Sequence, residues 1–179
     1  NLANRGYNVH GVDPSPVAMR AGKEKNIAVI QEFFPSKNLI ENPDLIFHVD
    51  VFEHVMDPVN FLKQQKECLS DKGIIIINVP DCTDTIKAGD ISIAQHQHVN
   101  SFDISSLARV IEAAGLTVIN IEKSGFGGSL YGIATKQKVV TQFKKPSLKY
   151  GCDFFETSQK SLSRFNKILL PLLKKKNSI

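Results

Sequence analysis

Along the first three quarters of the chain, short runs rich in β-branched residues alternate with segments whose apolar positions recur at helical spacing. Residues 7–12 read as a first strand closed by Asp13-Pro14-Ser15-Pro16, where Ser15 is placed to cap a helix over 16–25. A short second strand is expected over 27–30 and a third over 44–49. After Asp57-Pro58, the apolar Val59, Phe61, Leu62 and Leu69 predict a helix that stops at Asp71-Lys72-Gly73. Residues 74–79 are apolar on both faces, the pattern of a strand covered by helices on both sides. A further helix is expected over 105–114, with Leu107, Val110 and Ile111 on one face and Gly115 as its stop. Strands over 116–121 and 130–134 close the series. This alternation predicts an α/β fold with a mostly parallel sheet, right-handed crossovers and helices on both faces.

Composition narrows the class. The chain has 179 residues, 42% of them hydrophobic, and a formal charge of +4, which suits a folded domain with a real core and excludes a disordered polymer. No aliphatic run approaches the roughly 20 residues of a membrane span. Cys68, Cys82 and Cys152 are odd in number and far apart, so neither a disulfide framework nor a zinc ribbon is indicated, and a reducing cytoplasm is expected. Charge is divided unevenly: residues 1–135 carry 11 basic and 16 acidic side chains, whereas 136–179 carry 11 basic and 2 acidic. A boundary therefore falls near Lys136, separating a domain over 1–136 from a basic tail over 137–179. Within the tail, Phe154, Phe155, Leu162, Phe165, Ile168, Leu169, Leu172 and Leu173 form one apolar stripe, which predicts an amphipathic helix bent or ended by Pro171. Such a helix is expected to dock on protein rather than lie on a membrane surface. Basic charge without a recognition motif does not indicate nucleic acid.

Rossmann-like sheets bind ligands beyond the carboxyl ends of their strands, and the chemistry-bearing residues fall at those ends. Asp13 closes the first strand, where a carboxylate accepts hydrogen bonds from a nucleoside ribose or caps the following helix. The run from Asp44-Leu-Ile through Glu53-His-Val, Asp57-Pro and Phe61-Leu resembles the fourth-strand segment of class I S-adenosylmethionine-dependent methyltransferases. Residues 73–80 look like the fifth strand of that family. His98-Val-Asn-Ser-Phe102, with Ser105-Ser-Leu and Ala113-Ala-Gly-Leu, is similar to its His-x-x-x-Phe loop and the helix that follows. The resemblance covers residues 1 to about 136.

That resemblance implies S-adenosylmethionine as cofactor and a role for each position. Asp13 holds the ribose, Glu32 and Phe33 face the adenine, and His48 and Val49 border the methionine moiety. Each position also has a plain structural reading: Glu32 as solvated surface, Phe33 or Phe34 as core, His48 as a strand residue packed on a helix. Methyl transfer from a sulfonium needs a base only when the acceptor must lose a proton, and histidine suits that task near neutral pH. His98 is the leading candidate because its loop follows the fifth strand; His54, in the turn before a helix, is the second and also suits an organising role in that turn. Asp50, Glu53 and His54, with His96 or His98, have the donor types of a divalent metal site and resemble the acid-x-x-acid-His run of some metal-assisted methyltransferases. Glu-His before Asp-Pro is also common in the family without a metal, so none is assigned.

Phe126-Gly-Gly-Ser-Leu130 resembles a turn of sugar C-methyltransferases, in which a histidine precedes the glycines and an arginine follows the leucine; here Phe126 and Tyr131 stand in those places. The expected acceptor is a small molecule, a sugar or another polar biosynthetic intermediate. A quinone or phenol O-methyltransferase, or a non-catalytic Rossmann-like binding module, are the alternatives. In nucleotide-binding units the glycine-rich turn precedes the ribose acid by roughly 20 residues, yet only 12 precede Asp13, and the chain opens on Asn1 as if in mid-helix. The first strand and its glycine-rich loop are therefore expected upstream of Asn1, so that the strands ending at Asp13 and Asp50 pair with each other, leave a gap, or rely on another segment. The chain alone is expected to be unstable or inactive.

Overall fold

Capping residues set where the helices begin. Ser15 accepts the Val17 amide at 3.1 Å and Pro16 takes the first position of α1 (Pro16–Glu24). Asp57 accepts the Asn60 amide at 2.9 Å to start α2 (Pro58–Cys68). Asp103 and Ser106 cap each other reciprocally at the start of α4 (Ile104–Ala113). Each such cap contributes about 1 kcal/mol. In this computed structural model the described residues are 2–39, 42–89, 97–125 and 127–146, together with Lys160, Ser163 and Lys167.

Three elements depart from the sequence expectation, the first of them the opening strand, which is expected over 7–12 and forms only over His10–Val12. The second helix stops at Cys68 instead of running on to Gly73, because Leu69 turns to an extended conformation, is fully buried, and leads Ser70 to donate its amide to Pro43 at 3.0 Å. A short helix, α3 (Thr83–Ala88), was not expected from the pattern. Asp81 starts it by accepting the Thr83 amide at 2.9 Å, and Gly89, in the left-handed region, ends it.

Six strands are described: β1 (His10–Val12), β2 (Ala28–Ile30), β3 (Leu45–Val49), β4 (Ile74–Pro80), β5 (Thr117–Lys123) and β6 (Ser129–Thr135). They form two sheets. In the first, β1 and β2 run parallel, and α1 crosses between them. That helix lies so close on β2 that a Cβ at Gly22 would meet the Val29 side chain at 2.4 Å, which is why glycine stands there. In the second, the order is β3-β4-β6-β5, with β3 parallel to β4 from Leu45↔Ile74 to Val49↔Asn78. The last strand inserts antiparallel between β4 and β5, through a turn where Gly127 and Gly128 both adopt positive φ. Among the described residues no ladder joins β1 to β3.

The core fills the space between the second sheet and helices α2 and α4. Ile75, Ile77 and Val79 of β4 are fully buried against Leu62, Leu107, Ile111 and Leu130. Each such side chain contributes roughly 1.5–3 kcal/mol of burial energy. Asn78 is buried among them and satisfies its amide by donating to the Leu130 carbonyl at 3.3 Å. Beyond β6, residues 137–146 run back over α4: Phe143 packs on the core, Ser105 donates to the Pro146 carbonyl at 3.1 Å, and Lys145 pairs with Glu112. The stripe expected over 153–173 lies outside the described residues except at Lys160 and Lys167, which with Ser163 are helical and exposed. Among the described residues no helix is long and apolar enough to cross a membrane.

Candidate active site

The carboxyl ends of β1 and β2 carry the first group of expected residues. Asp13 follows β1 directly: its amide bonds the Ile30 carbonyl at 3.0 Å, and its exposed side chain accepts the Ser15 amide at 2.7 Å. Glu32 stands just past β2, its carboxylate held by the Ser36 hydroxyl and, at 2.9 Å, by the Asn38 side-chain amide. Phe33 is 79% exposed, whereas Phe34 meets Phe61 edge-on with ring centroids 5.4 Å apart. Of the two adjacent rings, one packs and the other is exposed.

The second group lies on β3. Val49, its last residue, is exposed, and Asp50 follows in the left-handed region at φ 51°, a conformation that costs a non-glycine residue about 1 kcal/mol or more. His48 points the other way. Its ring sits 5.6 Å from Phe52 and 5.7 Å from Phe61, and neither ring nitrogen has a hydrogen-bond partner. Burial lowers its pKa to about 4, so it is neutral near pH 7. In this setting His48 packs rather than donates.

The third group is assembled from segments more than 40 residues apart. A 3-10 turn, Phe52–His54, follows β3, and its Phe52 is fully buried and stacked on Phe102 with centroids 5.2 Å apart. Three hydrogen bonds stitch this turn to the loop at 97–100. His54 donates through Nδ1 to the Gln97 carbonyl at 2.6 Å, the Asn100 amide donates to the Glu53 carbonyl at 3.0 Å, and the Asn100 side chain donates to the Val55 carbonyl at 2.6 Å. The rings of His54 and His98 are thereby brought edge to face, 4.9 Å between centroids. Beneath them lies Glu53, only 2% exposed, with Oε1 3.6 Å from His54 Nε2 and Oε2 without a partner. Donor atoms of Glu53, His54 and His98 all fall within 4.8 Å of one another, and Asp50 is not among them. His96 and Phe126 lie outside the described residues.

Two contributors escaped the sequence analysis. Asn100 clasps the loop, and its only signal was its place inside the His-x-x-x-Phe run. Asp81, at the end of β4, forms an ion pair with Lys123 at 2.7 Å; its signal was a strand-end carboxylate like Asp13 and Asp50. Burial pushes the Asp81 carboxyl up, but hydrogen bonds from Lys123 and Thr83 and the lysine charge more than offset it, so it titrates below its ordinary value. Cys82, buried beside Asp103 and Asp81, has its thiol pushed up to about 12 and is no nucleophile near neutral pH.

A family profile described as a methyltransferase domain matches residues 1–121. The chain belongs to that family. Its architecture is that of class I S-adenosylmethionine-dependent methyltransferases. The methyltransferase domain is 24% identical over 132 residues to the C-methyltransferase NovU of Streptomyces niveus, an alignment covering 70% of this chain and 31% of NovU. It thus spans about a third of the length of that curated relative. Among solved structures, a S-adenosylmethionine-dependent methyltransferase of Thermotoga maritima shares the fold with a TM-score of 0.58 at 18% identity, covering 72% of this chain and 73% of that one. A TehB-like S-adenosylmethionine-dependent methyltransferase of Corynebacterium glutamicum does so with a TM-score of 0.57 at 17% identity, over 76% and 72% of the two chains. In the methyltransferase domain Asp13, Glu32 and Val49 stand at or just past the ends of β1, β2 and β3, and His54 and His98 face each other in the segments that follow β3 and β4.

Proposed function

We propose that the protein transfers a methyl group from S-adenosylmethionine to a small polar acceptor, a sugar or related biosynthetic intermediate, in a reducing cytoplasm. The convergence of His54 and His98 over the buried Glu53, beyond the carboxyl ends of β3 and β4, carries this reading. The residues present fit the cofactor: Asp13 offers an exposed carboxylate for a ribose, and Phe33 and Val49 offer exposed apolar surface at the neighbouring strand ends. When bound, the cofactor supplies an electrophilic methyl carbon on a sulfonium, so no acid is needed for the leaving group.

The chain's own residues then hold the acceptor in line with that carbon and manage its proton. His98, on the half-buried loop, takes the proton or positions the atom that loses it. His54 keeps its Nδ1 proton on the Gln97 carbonyl and so fixes the height of the loop that bears His98. Similarity to a C-methyltransferase supports a carbon acceptor, for which proton removal is obligatory. Free Cys68 and Cys82 support the reducing compartment. The test is transfer of labelled methyl from S-adenosylmethionine into polar metabolite extracts. His98→Gln should lower turnover far more than cofactor affinity, because the loss falls on the transition state. Equal turnover in native protein and variant would remove His98 from the reaction.

A further inference from the structure

We propose that Glu53, His54 and His98 bind one divalent transition-metal ion, for which zinc is the best match. Three observations carry the inference. Glu53 is buried, its Oε2 has no hydrogen-bond partner, and its Oε1 is approached by His54 Nε2 at 3.6 Å, beyond hydrogen-bond reach. A carboxylate in that setting needs a positive centre. Second, His54 Nδ1 lies 2.6 Å from the Gln97 carbonyl, a distance that only an N–H can occupy. In a neutral ring the lone pair is then on Nε2, turned toward the carboxylate. A carbonyl that fixes the tautomer in this way is the usual outer partner of a metal-bound histidine. Third, His98 closes the group, so that the three donor atoms lie within 4.8 Å of one another.

The geometry suits the metal. Zinc holds histidine nitrogen and carboxylate oxygen at about 2.0–2.2 Å, which puts neighbouring ligands of a tetrahedron roughly 3.4 Å apart. Glu53 and His54 already stand at 3.6 Å. The half-buried His98 completes the set, its donor atom within 4.8 Å of the other two. Two imidazoles and one carboxylate favour zinc or a neighbouring transition metal over magnesium, which prefers oxygen alone. Because His54 is exposed and His98 half-buried, a coordination position is left toward solvent, as in zinc sites that act on substrates. The site's existence does not depend on the methyl-transfer reading. Given that reading, the ion would hold and polarise an acceptor oxygen, and His98 would position rather than deprotonate.

Chelator-treated full chain, without cofactor, is titrated with Zn2+ by calorimetry and with Co2+ by visible absorption. One ion per chain is expected, with a cobalt spectrum that lacks a thiolate band. His54→Gln and His98→Gln should each weaken Zn2+ binding at least ~10-fold, while His10→Gln on β1 leaves it unchanged. Glu53→Gln should abolish it; if that variant fails to fold, the exposed and half-exposed histidines decide. No Zn2+ binding by the native chain, a thiolate band with cobalt, or native affinity in both histidine variants would overturn the site. S-adenosylmethionine titration of the same samples scores the cofactor reading separately.

Discussion

His48 should make the protein acid-sensitive in a window set by one side chain. Its folded pKa of about 4 stands below the ordinary 6.5, because burial between Phe52 and Phe61 disfavours the charged ring. The unfolded chain therefore binds a proton more readily than the folded one, and stability rises with pH across the interval. The contribution is complete above pH 6.5 and is lost as pH falls toward 4. At 1.36 kcal/mol per pH unit, the full loss is about 3 kcal/mol, a large share of a marginally stable domain. His48→Leu keeps the volume, removes two unpartnered ring nitrogens and abolishes the proton difference. Urea unfolding of native protein and variant at pH 7.5, 6, 5 and 4.5 is the assay. The carboxylates and other histidines titrate equally in both and cancel in the difference. The variant should be at least as stable at pH 7.5, and its advantage should grow by about 2 kcal/mol by pH 5. A difference that stays constant with pH would refute a buried, neutral His48.

Asp81→Asn should cost about 1–3 kcal/mol at pH 7 through the lost charged hydrogen bonds to Lys123 and Thr83. Because the Asp81 carboxyl titrates below its ordinary value, its contribution is present above that value and lost as pH falls through the folded one, so variant and native unfolding curves should converge only in strong acid. Asn100→Ala removes the side-chain bond to Val55 that clasps the histidine loop; turnover should fall while S-adenosylmethionine affinity, read by calorimetry, holds within about twofold. Among the described residues β1 and β3 share no ladder, so a variant with a strand and glycine-rich turn placed ahead of Asn1 should bind S-adenosylmethionine at least ~10-fold more tightly; equal affinity with and without that addition would sink this.

Local signals were the legible ones. Ser15, Asp57 and the run of isoleucines in β4 announced their elements because caps and periodicity act over a few residues. The end of α2 was misplaced because Leu69 obeys a tertiary demand, burial, that outweighs the helical pattern. The short α3 has too few apolar positions to show a period. At the site, the resemblance supplied roles for single residues, and the structure supplied their company. His54 and His98 lie 44 positions apart, and nothing in their spacing says that a carbonyl at Gln97 and an amide at Asn100 draw them together. Whether His48 packs or donates was equally open until its two aromatic neighbours were placed.

The break between the two sheets has a cost in solution behaviour. Among the described residues no strand pairs with the side of β3 away from β4, which offers a row of backbone donors and acceptors, and beside it Leu45, Phe47 and Val49 stand exposed on alternate positions. An open edge of that kind is a template on which a strand from another molecule adds. An apolar edge of that kind makes a protein sticky wherever it is uncovered, so solubility becomes a readout of how fully β3 is covered.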